Sequence, residues 1–117
     1  MPARELIDDD HPGFRSAART LLEAEGFDVV AESATGGEAL EAAARLHPEL
    51  VLLDIGLPDV DGIEIAGRLT AGRRPPAVVL TSSRDSADYR PLIERSGARG
   101  FIPKSELCGE RLAALAA

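Results

Sequence analysis

Hydrophobic and polar residues alternate along this chain with two different periods. Short apolar runs, typical of buried β-strands, are separated by longer stretches in which apolar residues recur every three or four positions, as in amphipathic helices. The apolar runs are residues 5–7, 27–31, 50–53, 77–80 and 100–102. Because a helical stretch follows each run, the pattern predicts five β–α units.

Residues that commonly start or stop helices bound the helical stretches. Pro12 opens the first helix and Gly26 ends it. Thr35 and Glu38 have the spacing of a capping box for the second helix, which Pro48 ends. The remaining helices are predicted over residues 63–69 and 85–95 and from Ser105 to the end.

Alternation of strands and helices predicts a parallel sheet with helices on both faces, joined by right-handed crossovers. Residues 50–53 lack polar alternation, which indicates a central strand covered on both sides. A chain of 117 residues has the size of one domain, so we expect residues 1–117 to form a single unit. The candidate fold is an α/β, flavodoxin-like, doubly wound (βα)5 sheet with strand order 2-1-3-4-5.

Polar residues follow four of the predicted strands. Asp9 and Asp10 follow the first strand, Asp54 the third, Thr81 the fourth, and the only lysine, Lys104, the fifth. Ligand sites of doubly wound sheets lie outside the carboxyl ends of the strands, near the point where strand order reverses. We therefore expect three carboxylates, a hydroxyl and an ammonium to meet at one edge.

This set of groups suits phosphoryl transfer. Clustered carboxylates repel one another unless a cation lies among them, and oxygen ligands of this kind suit Mg²⁺. Asp54 ends the most apolar strand, so we expect it to act as the nucleophile that forms an aspartyl phosphate. Asp9 and Asp10 would hold the metal, while Lys104 and Thr81 would contact Asp54 or the phosphoryl oxygens.

Four segments carry a resemblance to a known family. They are IDDDHPGFR, LVLLDIGLPDVDG, VVLTSS and GFIPK, in that order. With them the chain resembles a response-regulator receiver domain of two-component signalling over essentially its whole length. The segment from Asp9 to Arg15 is similar to the NarL/FixJ group, whose receivers usually precede a LuxR-type helix-turn-helix.

The resemblance implies a phosphorylation-dependent switch rather than an enzyme, with at most self-phosphorylation and self-dephosphorylation. Asp54 would accept phosphate from a sensor histidine kinase, with Asp9, Asp10, Asp54 and the Gly56 carbonyl binding Mg²⁺. Thr81 and Phe101 would form the switch, with Lys104 beside them. The resemblance also implies homodimer formation on phosphorylation and control of DNA through an output domain absent from these residues.

Some positions depart from the family pattern. Asp8 stands where the family usually has an apolar residue. Gly56 and Ser83 occupy positions whose side chains influence the lifetime of the phosphoryl group, which leaves that lifetime open. Ser105 replaces the proline that many members carry after the lysine.

Composition narrows the function classes. The net charge of −7 disfavours contact with the phosphates of nucleic acid, and an aromatic content of 3% offers few rings for base stacking. We therefore expect no DNA contact by this chain itself. The single Cys108 excludes a disulfide framework. Neither a membrane-length apolar run nor a signal peptide is present, so a cytoplasmic protein without membrane contact is expected.

Structural explanations compete with the functional ones. The acids at positions 8–10 could cap the first helix, Asp54 could start a turn, and Lys104 could be an ordinary surface lysine. Residues 81–83 could cap the next helix, and Phe101 could be a core residue. We expect structural roles for the remaining candidates: turn and N-cap positions for Asp59 and Asp61, loop or helix-end positions without a usefully spaced metal-ligand partner for His11 and His47, and helical packing for Cys108.

Two other functions stay open. Asp54 could be the nucleophile of a haloacid-dehalogenase-like phosphohydrolase, although that family places a second Asp where this chain has Gly56. A pseudo-receiver that signals only by docking, without phosphorylation, is the other alternative.

Overall fold

The computed structural model describes residues 3–83 and 90–117. Its strands are β1 Arg4–Asp8, β2 Asp28–Ser33, β3 Leu50–Asp54, β4 Ala77–Ser82 and β5 Gly100–Pro103. Its α-helices are α1 Pro12–Ala24, α2 Gly36–Leu46, α3 Gly62–Thr70, α4 Arg90–Arg95 and α5 Gly109–Ala116, and a short 3-10 helix covers Lys104–Glu106.

All five strands are parallel and lie in the order β2-β1-β3-β4-β5. The predicted fold class and strand order are confirmed. β3 is buried at every residue, as its unbroken apolar run predicted, and so is β4. Both lie inside the sheet, where helices cover the two faces.

Two hydrophobic cores lie on opposite faces of the sheet. One packs α2 and α3 against the sheet around Leu6, Leu53 and Ile65. The other packs α1 and α5 against the opposite face around Ile7 and Leu52. Neighbouring strand residues such as Leu6 and Ile7 serve different cores, because side chains alternate between the faces of a strand.

Local capping explains the helix starts. Pro12 occupies the first turn of α1, where its missing N–H is not needed. At α2, Thr35 Oγ1 accepts a hydrogen bond from the Glu38 backbone at 3.1 Å, and the Glu38 carboxylate accepts one from the Ala34 backbone at 2.8 Å. The capping box is therefore confirmed, except that the Glu38 side chain bonds the backbone of Ala34 and not that of the N-cap residue Thr35 itself.

The prediction of one continuous last helix from Ser105 is wrong. The chain forms the 3-10 helix first, then runs through Leu107 and Cys108 in extended conformation before α5 begins at Gly109. The Gly109 N–H donates a hydrogen bond to the Glu25 carboxylate at 2.8 Å, so a contact from the C-cap of α1 stabilises this start. Cys108 is thus the N-cap and not a helical packing residue.

Other boundaries also differ from expectation. β2 runs on to Ser33 because its pairing with β1 continues to the Asp8–Ser33 register. For the helix predicted over residues 85–95, the structure gives α4 at Arg90–Arg95, and residues 85–89 lie outside the part described.

Candidate functional site

Asp54 is the last residue of β3, and its side chain is only 5% exposed. Its Oδ1 accepts a hydrogen bond from the Gly56 backbone at 3.2 Å, which orients the carboxylate. Burial and the nearby charge of Asp9 raise the pKa of Asp54, while Lys104 and the Gly56 hydrogen bond act against that rise. Asp54 therefore presents a fixed, poorly solvated carboxylate to the other charged groups of the site.

The acids that follow β1 lie beside Asp54. Oxygen atoms of Asp9, Asp10 and Asp54, together with a nitrogen of His11, lie within 4.8 Å of one another. The Asp9 side chain is fully buried and that of Asp10 is 32% exposed. Parallel strands β1 and β3 are direct neighbours in the sheet, which explains why residues 45 apart meet here.

Lys104 reaches into this group from the end of β5. Its Nζ lies 2.7 Å from Asp9 Oδ2 and 3.6 Å from Asp54 Oδ2, and the side chain is 13% exposed. The same ammonium lies 4.5 Å from the centre of the Phe14 ring on α1, within cation–π range. A lysine held by two carboxylates and a ring is not an ordinary surface residue.

Thr81 lies next to Asp54, because the two residues are paired in the β3–β4 register. Its side chain is fully buried, and Oγ1 donates a hydrogen bond to the Ile102 carbonyl at 2.7 Å. The hydroxyl is thus near the site but is bonded to β5.

Phe101 lies on the edge strand β5 and is half-buried against the core that contains Ile93. It lines a cavity of about 290 Å³ together with Arg90, Ile93 and Glu94 of α4. The ring therefore contacts the core on one side and open space on the other, and both of its expected roles keep a structural basis.

Gly62 positions the backbone of Asp54, a role that the sequence analysis missed. A Cβ at Gly62 would overlap the Asp54 carbonyl oxygen and lie 2.8 Å from the Ile55 Cα. The Gly62 N–H also donates to the Ile55 carbonyl at 2.9 Å. The start of α3 therefore packs directly on the chain that leaves β3, and only glycine allows that approach.

Asp8 does not join the other acids. It is fully buried at the end of β1, and its Oδ1 accepts a hydrogen bond from the Ser33 hydroxyl at 2.8 Å. Burial raises the pKa of Asp8 to about 7, against the effect of the Ser33 bond. Alternation along β1 turns Asp8 away from the side chain of Asp9.

His11 lies at a helix end, as expected, but the expectation that it has no usefully spaced metal-ligand partner is wrong. Its Nδ1 lies 3.0 Å from Asp9 Oδ1 and 3.0 Å from Asp10 Oδ1. The residue is the N-cap of α1, and its backbone N–H donates to Asp9 Oδ1 at 2.8 Å. Its position directly after the acidic pair was the available signal, but the rotamer that brings the ring back could not be predicted.

Asp59 and Asp61 have structural roles, as expected, although Asp59 bonds a helix that is distant in the sequence. Asp61 is the N-cap of α3 and accepts from Ile63 at 2.8 Å. Asp59 accepts from Gly36 and Gly37 at 2.8 and 3.0 Å, at the start of α2, and these bonds lower its pKa. The loop after β3 is thereby fastened to two helices.

The donor set fits a divalent cation. It offers carboxylates from three residues, and Asp10 Oδ1 is buried without receiving a hydrogen bond in the described part of the chain. His11 Nδ1 lies 3.0 Å from this oxygen, but a buried carboxylate oxygen that accepts no hydrogen bond is unfavourable unless a proton or cation neutralises it. Asp9, Asp10 and Asp54 can therefore hold an ion of the Mg²⁺ type, whose ligands are oxygen atoms.

No helix in the described ranges is both long and apolar enough to cross a membrane. This finding agrees with the absence of an apolar run of that length in the sequence.

Comparison with known proteins places the chain in a family. The model of the response regulator receiver domain matches residues 6–116. The chain is 40% identical over 106 residues to the virulence transcription regulator BvgA of Bordetella pertussis, covering 91% of this chain and 51% of BvgA. It is 30% identical over 112 residues to the DNA-binding transcriptional activator EvgA of Escherichia coli K12, covering 96% of this chain and 55% of EvgA.

A solved structure agrees with these relatives. A LuxR-family two-component response regulator from Aurantimonas sp. SI85-9A1 superposes with a TM-score of 0.88 at 29% identity, over 99% of this chain and 86% of that one. The chain spans about half the length of the two sequence relatives. On the family match, the fold and these similarities, the chain belongs to the response regulator receiver domains of two-component signalling.

Proposed function

We propose that residues 1–117 form one receiver domain that accepts a phosphoryl group on Asp54 from a sensor histidine kinase. The observation that carries the proposal is the position of the Asp54 carboxylate, buried at the end of β3 beside two acids and 3.6 Å from Lys104 Nζ. A carboxylate held in this way is a competent nucleophile once a cation reduces the surrounding repulsion.

The transfer moves a phosphoryl group from a histidine nitrogen of the kinase to an Asp54 oxygen. An Asp54 oxygen attacks the phosphorus of a phosphohistidine, a new O–P bond forms as the N–P bond breaks, and the electron pair returns to the imidazole nitrogen. Lys104 stabilises negative charge on the phosphoryl oxygens. Asp9, Asp10, Asp54 and the backbone carbonyl of Gly56 would hold Mg²⁺, which would supply further charge neutralisation when bound.

Thr81 and Phe101 form the switch in this proposal. The Thr81 hydroxyl reaches a phosphoryl oxygen only by giving up its hydrogen bond to the Ile102 carbonyl. The strands β4 and β5 are coupled through that bond, so its loss affects the strand that carries Phe101. Phosphorylation then favours one of two arrangements of the β5 edge, because the phosphoryl group bonds Thr81 in only one of them.

The output follows from the relatives and is part of the proposal. EvgA is named a DNA-binding activator, and the chain matches about half of it. We infer that this receiver controls a LuxR-type DNA-binding domain outside these residues, through homodimer formation on phosphorylation. The protein acts in the cytoplasm, where its kinase and DNA are found.

Phosphorylation with acetyl phosphate and Mg²⁺, followed by intact-protein mass spectrometry, tests the proposal. We expect one phosphoryl adduct in the wild type and none in Asp54→Asn. Asp61→Asn is the matched control, because Asn also caps helices well and this variant should keep the adduct. An adduct that survives Asp54→Asn would refute the assignment.

The same preparation separates the two alternatives. Sustained hydrolysis of a small phosphate ester would indicate a phosphohydrolase, and a failure to bind Mg²⁺ would indicate a pseudo-receiver. We expect neither result, since the acids and Lys104 form one group.

A further inference from the structure

An imidazole nitrogen lies among the acidic side chains of the site. His11 Nδ1 is 3.0 Å from one oxygen of Asp9 and 3.0 Å from one oxygen of Asp10. The bond from the His11 backbone to Asp9 Oδ1, at 2.8 Å, fixes the residue relative to that carboxylate. The ring therefore has a defined place beside both acids.

Hydrogen bonding leaves this arrangement incomplete. A ring nitrogen carries at most one hydrogen, so Nδ1 can donate to only one of the two oxygens. Lys104 is paired with the other oxygen of Asp9, at 2.7 Å. Asp10 Oδ1 is buried and receives no hydrogen bond within the described residues. His11 Nδ1 also lies 3.5 Å from Lys104 Nζ, so this nitrogen has two carboxylate oxygens and one ammonium as close polar neighbours.

The distances suit a shared cation. Divalent ions bind nitrogen and oxygen ligands at about 2.0–2.2 Å, and two such ligands at right angles lie about 3.0 Å apart. Both separations from His11 Nδ1 have this value. The nitrogen and the two carboxylate oxygens can therefore occupy neighbouring positions around one ion.

We infer that His11 is a nitrogen ligand of this site and gives it a preference for Mn²⁺ and similar transition ions over Mg²⁺. The inference rests on the proposed metal-dependent function and refines it. Mg²⁺ prefers oxygen and keeps its water, whereas first-row transition ions accept imidazole more readily, although Mn²⁺ does so the least because it also favours oxygen ligands. A site of oxygen atoms alone would not make this distinction as strongly.

The first test is pulsed electron paramagnetic resonance of Mn²⁺ bound to the metal-free domain. Electron spin-echo modulation detects a ligand nitrogen directly, and we expect a ¹⁴N signal that changes on ¹⁵N-histidine labelling. Because the chain has two histidines, His47→Asn is the matched control. His47 is exposed with a φ of 48°, a conformation that Asn tolerates, so the signal should persist. Bound Mn²⁺ without any nitrogen coupling would overturn the inference.

The second test compares affinities by titration calorimetry. We expect His11→Asn to weaken Mn²⁺ binding about tenfold or more, which corresponds to about 1.4 kcal/mol, and to change Mg²⁺ binding much less. Equal losses for the two ions would contradict a selective nitrogen ligand. Far-UV circular dichroism checks that the variant is folded.

The two proposals can fail separately. If His11→Asn binds both ions as the wild type does and still accepts phosphate with Mg²⁺, the ligand role is refuted and the proposed function stands. If the wild type binds neither ion, both are refuted.

Discussion

Replacing Glu5 with Gln should make the domain more stable at neutral and alkaline pH. Glu5 is fully buried in β1, and neither carboxylate oxygen has a hydrogen-bond partner in the described residues. Its register partners Val29 and Leu50 belong to the core beneath α1 and α5. An ionised carboxylate in that environment is strongly unfavourable.

The size of the effect follows from the pKa. Burial raises the pKa of Glu5 from 4.5 to about 8. The folded state therefore holds a proton that the unfolded state loses above pH 4.5, and stability falls as pH rises through this range to about 8. At 1.36 kcal/mol per pH unit, the raised pKa of Glu5 lowers the free energy of unfolding relative to its value in strong acid. The loss is about 1 kcal/mol at pH 5, about 3 at pH 7 and more than 4 at pH 9.

Urea unfolding followed by circular dichroism between pH 5 and pH 9 measures this difference. The gap between Glu5→Gln and the wild type should widen by about 4 kcal/mol over that range. Other titrating groups, including Asp8, are present in both proteins and cancel in the comparison. Glu41→Gln, on the exposed side of α2, is the control. The difference in unfolding free energy between this variant and the wild type should not change with pH. A flat profile for Glu5→Gln itself would refute the reasoning.

Four further outcomes are expected. Asp54→Asn should raise the Tm of the metal-free domain, measured by calorimetry, because it removes one of three neighbouring carboxylates. Gly62→Ala should destabilise the fold by roughly 1–3 kcal/mol in urea unfolding, since its Cβ overlaps backbone at Asp54. Asp59→Ala should lower the Tm at pH 7 but much less in acid. In acid the Asp59 carboxylate of the wild type is itself protonated and loses the same hydrogen bonds, which are the cause of its lowered pKa. Thr81→Val should still take up phosphate from acetyl phosphate but lose the phosphorylation-induced shift in the ¹H–¹⁵N NMR signals of β5. Without the Thr81 hydroxyl there is no hydrogen bond to the Ile102 carbonyl that phosphorylation could break.

The fold could be predicted largely because its signals are local. The unbroken apolar run of β3 and the helical spacing between strands each depend on a few adjacent residues. The positions of Asp9, Asp54 and Lys104 then followed, because parallel strands present their carboxyl ends at one edge. Periodicity and topology together were sufficient to bring residues from distant parts of the chain into one site.

What could not be predicted depends on side-chain rotamers and long-range contacts. The ring of His11 turns back over the acids through one rotamer choice, which periodicity does not report. Asp59 caps a helix whose first residue lies 23 positions earlier. The start of α5 depends on Glu25, 84 residues before Gly109. Such contacts exist only after the strands have been assembled.

The bond between Glu25 and Gly109 has a consequence for local opening. It joins the end of the first helix to the start of the last, and both helices share one core on the sheet. Detaching α5 alone would leave the Glu25 carboxylate, at the C-cap of α1, without its donor and would expose Leu112, which is fully buried. Amide hydrogen exchange should therefore report α1 and α5 as one cooperative unit, with protection that is gained and lost together.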